Sequence, residues 1–310
     1  MNYLITILPK MAGFLLLVII GFTASRTHII KKEAMSSISG FLLKIALPAL
    51  TISLIWENQT TFRTMFQYGR MAAAQILMYF VMAAAGILGS KVCSLKGATA
   101  NVYRGCSVGG NYGFLVIPLI MALFEEHGGN VYIPICSVID TTVVWTLGFT
   151  LFTSGVENKE NPWKKILLNP IFLSIIIGLC LTSFHIPVPD MIMSTVDSVG
   201  NTCYSWGLIY LGCSLGFMEL SKIFQYKSIL VLAATKLLIL PLIVYFIASQ
   251  ILPQTESMIL MLICAAPSMT TSTMIAEQYH LDKEYASTTV VATTLLCMLI
   301  IPLLFGLISL

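Results

Sequence analysis

The chain has 310 residues, of which 57% are apolar and only 10% charged, with a mean hydropathy of +0.88. A soluble domain carries about 25% charged residues, so 17 basic and 14 acidic side chains are too few to coat a 34.0 kDa globule in water. That excludes a soluble enzyme, a nucleic-acid binder and a disordered chain, and leaves an all-α polytopic protein of the lipid bilayer. A transmembrane barrel is excluded as well, because its strands alternate apolar and polar residues whereas these apolar runs are continuous.

A helix crosses the hydrocarbon core in about 20 residues, so ten spans and short loops use the chain almost completely. In chain order the apolar runs predict spans at about 4–22, 36–55, 70–90, 103–124, 131–153, 166–184, 195–216, 228–249, 257–278 and 285–308. The stretch 11–22 reads as part of the first span rather than as a signal peptide. Lys10 follows an already apolar start, and no small-x-small cleavage site comes after it.

Basic residues orient the spans. Loops after odd-numbered spans hold twelve of them: Arg26, Lys31, Lys32, Lys91, Lys96, Arg104, Lys159, Lys164, Lys165, Lys222, Lys227 and Lys283. Loops after even-numbered spans hold only Arg63 and Arg70. The positive-inside rule then makes odd loops cytoplasmic and places both termini outside a plasma membrane.

The eight cysteines lie mostly inside apolar runs without a C-x-x-C pair, and His28, His127, His185 and His280 fall in loops or at span ends. No disulfide framework, metal site or histidine relay is expected. Nor is there a phosphate-loop or dinucleotide pattern, so no cofactor is expected.

The chain is weakly self-similar at half its length. Ser107-Val-Gly-Gly-Asn-Tyr-Gly, followed by Pro118, interrupts the fourth span, and Ala265-Ala-Pro-Ser-Met-Thr-Thr-Ser-Thr interrupts the ninth. Pro9 is placed at the start of the first span and Pro170 at the start of the sixth. Residues 1–154 and 166–310 are therefore predicted to be five-helix repeats joined by a cytoplasmic linker, 155–165. Five is odd, so the second repeat enters inverted, as in secondary transporters whose broken helices meet near the midplane. An unwound stretch survives in hydrocarbon only where protein or a wet cavity pairs its backbone, and half-helix N-termini exposed there attract anions.

Ionisable residues inside spans are functional candidates. Asp140 lies about nine residues into the fifth span, roughly 13 Å deep in a core about 30 Å thick, and Lys236 reaches a similar level from the cytoplasmic side. They are expected either to pair with each other or to act in transport, Lys236 by attracting an anion and Asp140 by carrying a proton or gating. Lys44 is close enough to the cytoplasmic end to snorkel. Pro241 reads as a simple kink. The polar set is Gln75, Asn111, Ser268, Thr270, Thr271, Ser272, Thr288, Thr289 and Thr293, of which Asn111 stands out because its amide both donates and accepts at the glycine-rich break.

Asn111-Tyr-Gly-Phe-Leu-Val-Ile-Pro118-Leu resembles the fourth-span signature of the auxin efflux carrier family. Leu47-Pro48-Ala49-Leu50 and the ninth-span run from Pro267 to Tyr279 fit the same family. The resemblance covers the whole chain and implies a fold shared with bile-acid sodium symporters and sodium–proton antiporters. It implies spans four and nine crossing at their breaks, with Asn111 and Pro118 on one helix and Pro267 on the other. Members move organic anions: auxin in the plant PIN-formed carriers, malate or related carboxylates in bacterial relatives. The short cytoplasmic loop departs from the long hydrophilic loop of many plant carriers and points to a compact bacterial member.

The expected function is thus alternating-access transport of a small organic anion, a carboxylate such as malate or an auxin-like acid, rather than enzyme catalysis. Spans 1, 2, 6 and 7 would be the scaffold, and spans 3–5 and 8–10 the moving bundle. Gly110, Asn111, Pro118, Pro267, Ser268, Thr271, Ser272 and Lys236 are the substrate-site candidates, with Asp140 and Gln75 for coupling or gating. Protons or sodium are candidate coupling ions, and a homodimer is a candidate assembly. An anion channel is the alternative, and a membrane-embedded enzyme a more distant one.

Overall fold

The computed structural model describes residues 3–124, 128–156, 162–217 and 226–308. Lys159, Lys222, His127 and linker residues 157–161 lie outside that range. Among the described residues the chain is helical, and its only β pairing is one bridge, Gly110 to Ser268.

Five helices are long and apolar enough to cross a membrane: Ala34–Glu57 (α2), Gly69–Val92 (α3), Gly129–Phe152 (α6), Lys227–Ala248 (α9) and Lys283–Ile308 (α12). Beside them stand Tyr3–Arg26 (α1), Gly97–Val108 (α4), Tyr112–Phe124 (α5), Pro170–Ser183 (α7), Gln254–Cys264 (α10), Asp190–Gly216 (α8) and Thr271–Gln278 (α11), with the short helices Phe62–Gln67 and Pro162–Leu167 in the connections. Helices α4 and α5 are the halves of the fourth predicted span, and α10 and α11 those of the ninth.

The two prolines matched in the sequence behave differently. Pro170 does open α7, where the Asn169 side chain accepts from Ile171 N and Phe172 N, and a proline there gives up only an amide that lacks a helical partner anyway. Pro9 lies inside α1, which begins at Tyr3. Helix α8 starts at Asp190 rather than near 195, because Pro189 ends the preceding loop and Asp190 puts an acid in the first turn.

Three other prolines follow widened turns. The π-helical segments Leu42–Ala46, Tyr112–Val116 and Ala234–Ile239 precede Pro48, Pro118 and Pro241 by two residues. Proline removes an i→i−4 donor and crowds the preceding turn, and a local π turn absorbs the misfit. Pro241 is therefore more than a kink: its π turn contains Lys236.

Helices α1, α8, α2 and α7 lie side by side, while α3, α4, α6, α9, α10, α11 and α12 pack on one another as a second group. Glycines set the closest approach in the first group. A Cβ built on Gly212 would stand 2.0 Å from Val18 O, and one on Gly21 would stand 2.0 Å from Ile209 O. Cys213 Sγ completes the contact by donating to Gly21 O at 3.1 Å. Lipid offers no hydrophobic drive between helices, so close backbone packing of this kind supplies the association. Gly212→Ala must move main chain rather than a side-chain tip, and is expected to cost about 1–3 kcal/mol, read as a lower melting temperature of the solubilised protein. Gly13→Ala, with nothing within 4 Å of the new Cβ, should leave that temperature in place.

Candidate functional site

The two interruptions meet. Asn111 N donates to Pro267 O at 2.8 Å and Met269 N to Gly109 O at 3.2 Å, so the unwound residues pair as a two-residue antiparallel ribbon around the Gly110–Ser268 bridge. Glycine permits the approach, since a Cβ on Gly110 would already touch Ala266 Cβ at 3.0 Å. Each broken strand supplies the partners that the other loses by leaving the helix, which is the condition for irregular backbone at membrane depth.

The carbonyl end of α4 is closed from outside its own helix. Lys236 Nζ donates to Cys106 O at 2.7 Å and to Gly109 O at 2.8 Å, and Ser268 Oγ donates to Cys106 O at 3.0 Å. Ser268 N in turn donates to Thr293 Oγ1 at 3.0 Å. Lys236 is only 1% exposed. Its ammonium sits at the negative end of a half-helix, where a cation is favourable.

Beside the crossing is a cavity of about 280 Å³. Gly110, Asn111, Tyr112, Thr270 and Thr271 come from the breaks, Ser137, Asp140, Thr141 and Trp145 from α6, Lys44 from α2, and Asn169 and Pro170 from the start of α7. Asn111 caps the first turn of α5, its Oδ1 accepting from Phe114 N at 3.4 Å. Its Nδ2 is buried without a hydrogen-bond partner among the described residues. A buried donor left unmade costs about 1–3 kcal/mol, so this atom marks where a ligand's acceptor belongs.

The sequence candidates therefore separate. Gly110, Asn111, Thr271 and Asp140 line the cavity. Pro267 contributes its carbonyl to the ribbon, and Ser268 and Ser272 are fully buried. Pro118 lies in the first turn after the π segment, facing Gly207 of α8. Lys236 is not in the cavity wall; it is turned to the α4 carbonyls. It does not pair with Asp140, whose carboxylate instead accepts a hydrogen bond from Tyr79 OH. Gln75, at 0% exposure, lies behind Asp140, its Nε2 donating to Cys136 O at 3.1 Å.

Two residues escaped sequence reasoning. Tyr79 is one turn after Gln75 on the same face of α3, a spacing that could have drawn attention to it. Asp197 of α8 is an acid within a span, satisfied by Ser53 Oγ at 2.7 Å and Asn201 Nδ2 at 3.0 Å; beginning the span near 195 had put it at the membrane edge.

The sequence is similar to those of known membrane transporters. The profile of the membrane transport protein family matches residues 6–305. A protein of Rhizobium meliloti named "Putative malonate transporter" is 24% identical over 296 residues, covering 90% of this chain and 89% of its own. An uncharacterized transporter of Methanocaldococcus jannaschii is 21% identical over 295 residues, covering 93% and 94%. The chain belongs to the membrane transport protein family, that of the auxin efflux carriers, and is a multi-pass membrane protein.

Proposed function

We propose that the protein is a secondary transporter of a small organic anion, a carboxylate of the malonate or malate kind, working by alternating access. The observation that carries this reading is the unpartnered Asn111 Nδ2 in the wall of the cavity beside the two helix breaks. Amide groups at the starts of α5 and α11 favour negative charge, and Lys44 adds a cation at the cavity. Asn111, Gly110 and Thr271 hold the substrate, Pro118, Pro267, Ser268 and Ser272 shape the breaks, and Asp140 and Gln75 serve coupling or gating.

In this reading ten spans form two inverted repeats, 1–154 and 166–310. Helices α1, α2, α7 and α8 are the scaffold, against which the remaining helices move as a bundle. The positive-inside orientation puts the start of α7 and the Lys44 turn of α2 toward the cytoplasm, so the cavity faces inward in a plasma membrane with both termini outside. The name of the Rhizobium relative supports a dicarboxylate as the first substrate to try.

Counterflow in proteoliposomes tests this. Vesicles preloaded with unlabelled malonate, malate or an auxin-like acid should take up the same labelled acid transiently above equilibrium. Current without counterflow would favour an anion channel, and the absence of uptake for every carboxylate would refute the assignment.

A further inference from the structure

Asp140 is the one carboxylate among the residues lining the cavity, and among the described residues its hydrogen bond comes from Tyr79 rather than from a cation. Of the charged groups on the elements packed around α6, Lys236 of α9 is close enough to act on it but spends its Nζ on Cys106 O and Gly109 O. Arg104 of α4 is turned to Ser90. Lys44 of α2 lines the same cavity as Asp140 without bonding to it, and α7 carries only Cys180 as a titratable group. The short helix Pro162–Leu167 has Lys164 on its exposed side. Nearby titratable groups of α5 and α6 are Tyr112 and Cys136. An ionised Asp140 therefore meets an incoming carboxylate in one small cavity as a like charge, which disfavours having both ionised.

The hydrogen bonds behind Asp140 are built for two protonation states. With Asp140 ionised, Tyr79 OH donates to it. Gln75, whose side chain reaches that hydroxyl, carries in Oε1 a fully buried acceptor with no hydrogen-bond partner among the described residues. When Asp140 takes a proton, its new O–H can donate to the Tyr79 oxygen and the Tyr79 hydroxyl can turn to Gln75 Oε1. Every group is then paired, and the orphan acceptor acquires its donor.

We infer that Asp140, Tyr79 and Gln75 form a proton-binding site that makes the protein a proton–carboxylate symporter. The inference rests on the transport reading above. One proton from water binds the Asp140 carboxylate and one organic anion binds at Asn111. Both cross together, and both are released on the other side. With a monoanion no net charge moves, so a pH difference of one unit supports about tenfold accumulation.

The test uses wild-type protein in proteoliposomes, membrane potential clamped, with radiolabelled malonate as probe. Wild type should accumulate malonate toward the alkaline side, and its counterflow rate should fall as pH rises. Asp140→Asn should lose both the accumulation and the pH slope. Because the acid's own ionisation affects both proteins alike, the difference between them isolates Asp140. Asp140→Glu should restore pH-driven accumulation, and Gln75→Leu, which removes the spare acceptor, should move the pH midpoint to the acid side. Wild-type counterflow without pH-driven accumulation, or accumulation by Asp140→Asn equal to wild type, overturns the symport while leaving transport intact. No counterflow by wild type with any carboxylate refutes the transport reading and the symport together.

Discussion

Replacing Asn111 by Ala should raise the substrate concentration that half-saturates counterflow by roughly 10- to 100-fold, since a hydrogen bond to a charged group contributes about 1.5–3 kcal/mol and 1.4 kcal/mol is tenfold. The Nδ2 group has no other partner among the described residues, so its removal costs the protein nothing on that side. What the folded state loses is the weak cap from Oδ1 to Phe114 N, about 0.5–1 kcal/mol on the scale of helix caps. The melting temperature should thus fall little while affinity falls steeply. Asn111→Asp is the sharper variant: it keeps the capping oxygen, removes the donor and adds a negative charge where the anion docks. It should transport less than Asn111→Ala. Saturation at wild-type concentrations in Asn111→Ala would place the substrate elsewhere.

The second large effect is expected at Lys236, and it is one of stability. Its Nζ closes two carbonyls at the end of α4. Hydrogen bonds from a charged group contribute about 1.5–3 kcal/mol each, but burying the ammonium offsets part of that. A net loss of roughly 2–3 kcal/mol is expected for Lys236→Met, because each carbonyl keeps one partner, Ser268 Oγ on Cys106 and Met269 N on Gly109. The crossing is where the loss falls. Lys236→Met should lower the melting temperature and lose transport as the ribbon loosens. If Lys236 instead held the substrate directly, the same variant would melt like wild type and only its half-saturating concentration would rise. Melting curves with and without saturating malonate separate the two.

The membrane class and the two helix breaks are legible in the sequence. Sparse charge and continuous apolar runs give the membrane class, because hydropathy sums along the chain and needs no knowledge of neighbours. The glycine and proline clusters at 107–118 and 265–273 mark the helix ends at Val108 and Cys264 and the restarts at Tyr112 and Thr271, because helix breaking is a local property of those residues. Pro9 misled for the same local reason. A proline at a helix start is favourable, but the chain before it also continued helically, and only the assembled helix shows that.

Partners were another matter. Depth, which sequence reports, selects Lys236 and Asp140, and their opposite charges make pairing one of the two expectations for them. Depth says nothing about which way a side chain points around its helix. The π turn before Pro241 rotates Lys236 onto the α4 carbonyls, and the packing of α3 on α6 brings Tyr79 rather than a cation to Asp140. Hydropathy, motifs and helix-breaking residues are enough to establish the membrane class, the family and the places where two helices break. The tertiary structure decided that the breaks pair backbone to backbone, that Lys236 serves a helix end, and that Asp140 shares a cavity with the free amide of Asn111. Composition and breaking propensity are carried by each residue alone, whereas a hydrogen-bond partner more than 60 residues away exists only once packing has set the helices' rotation and separation.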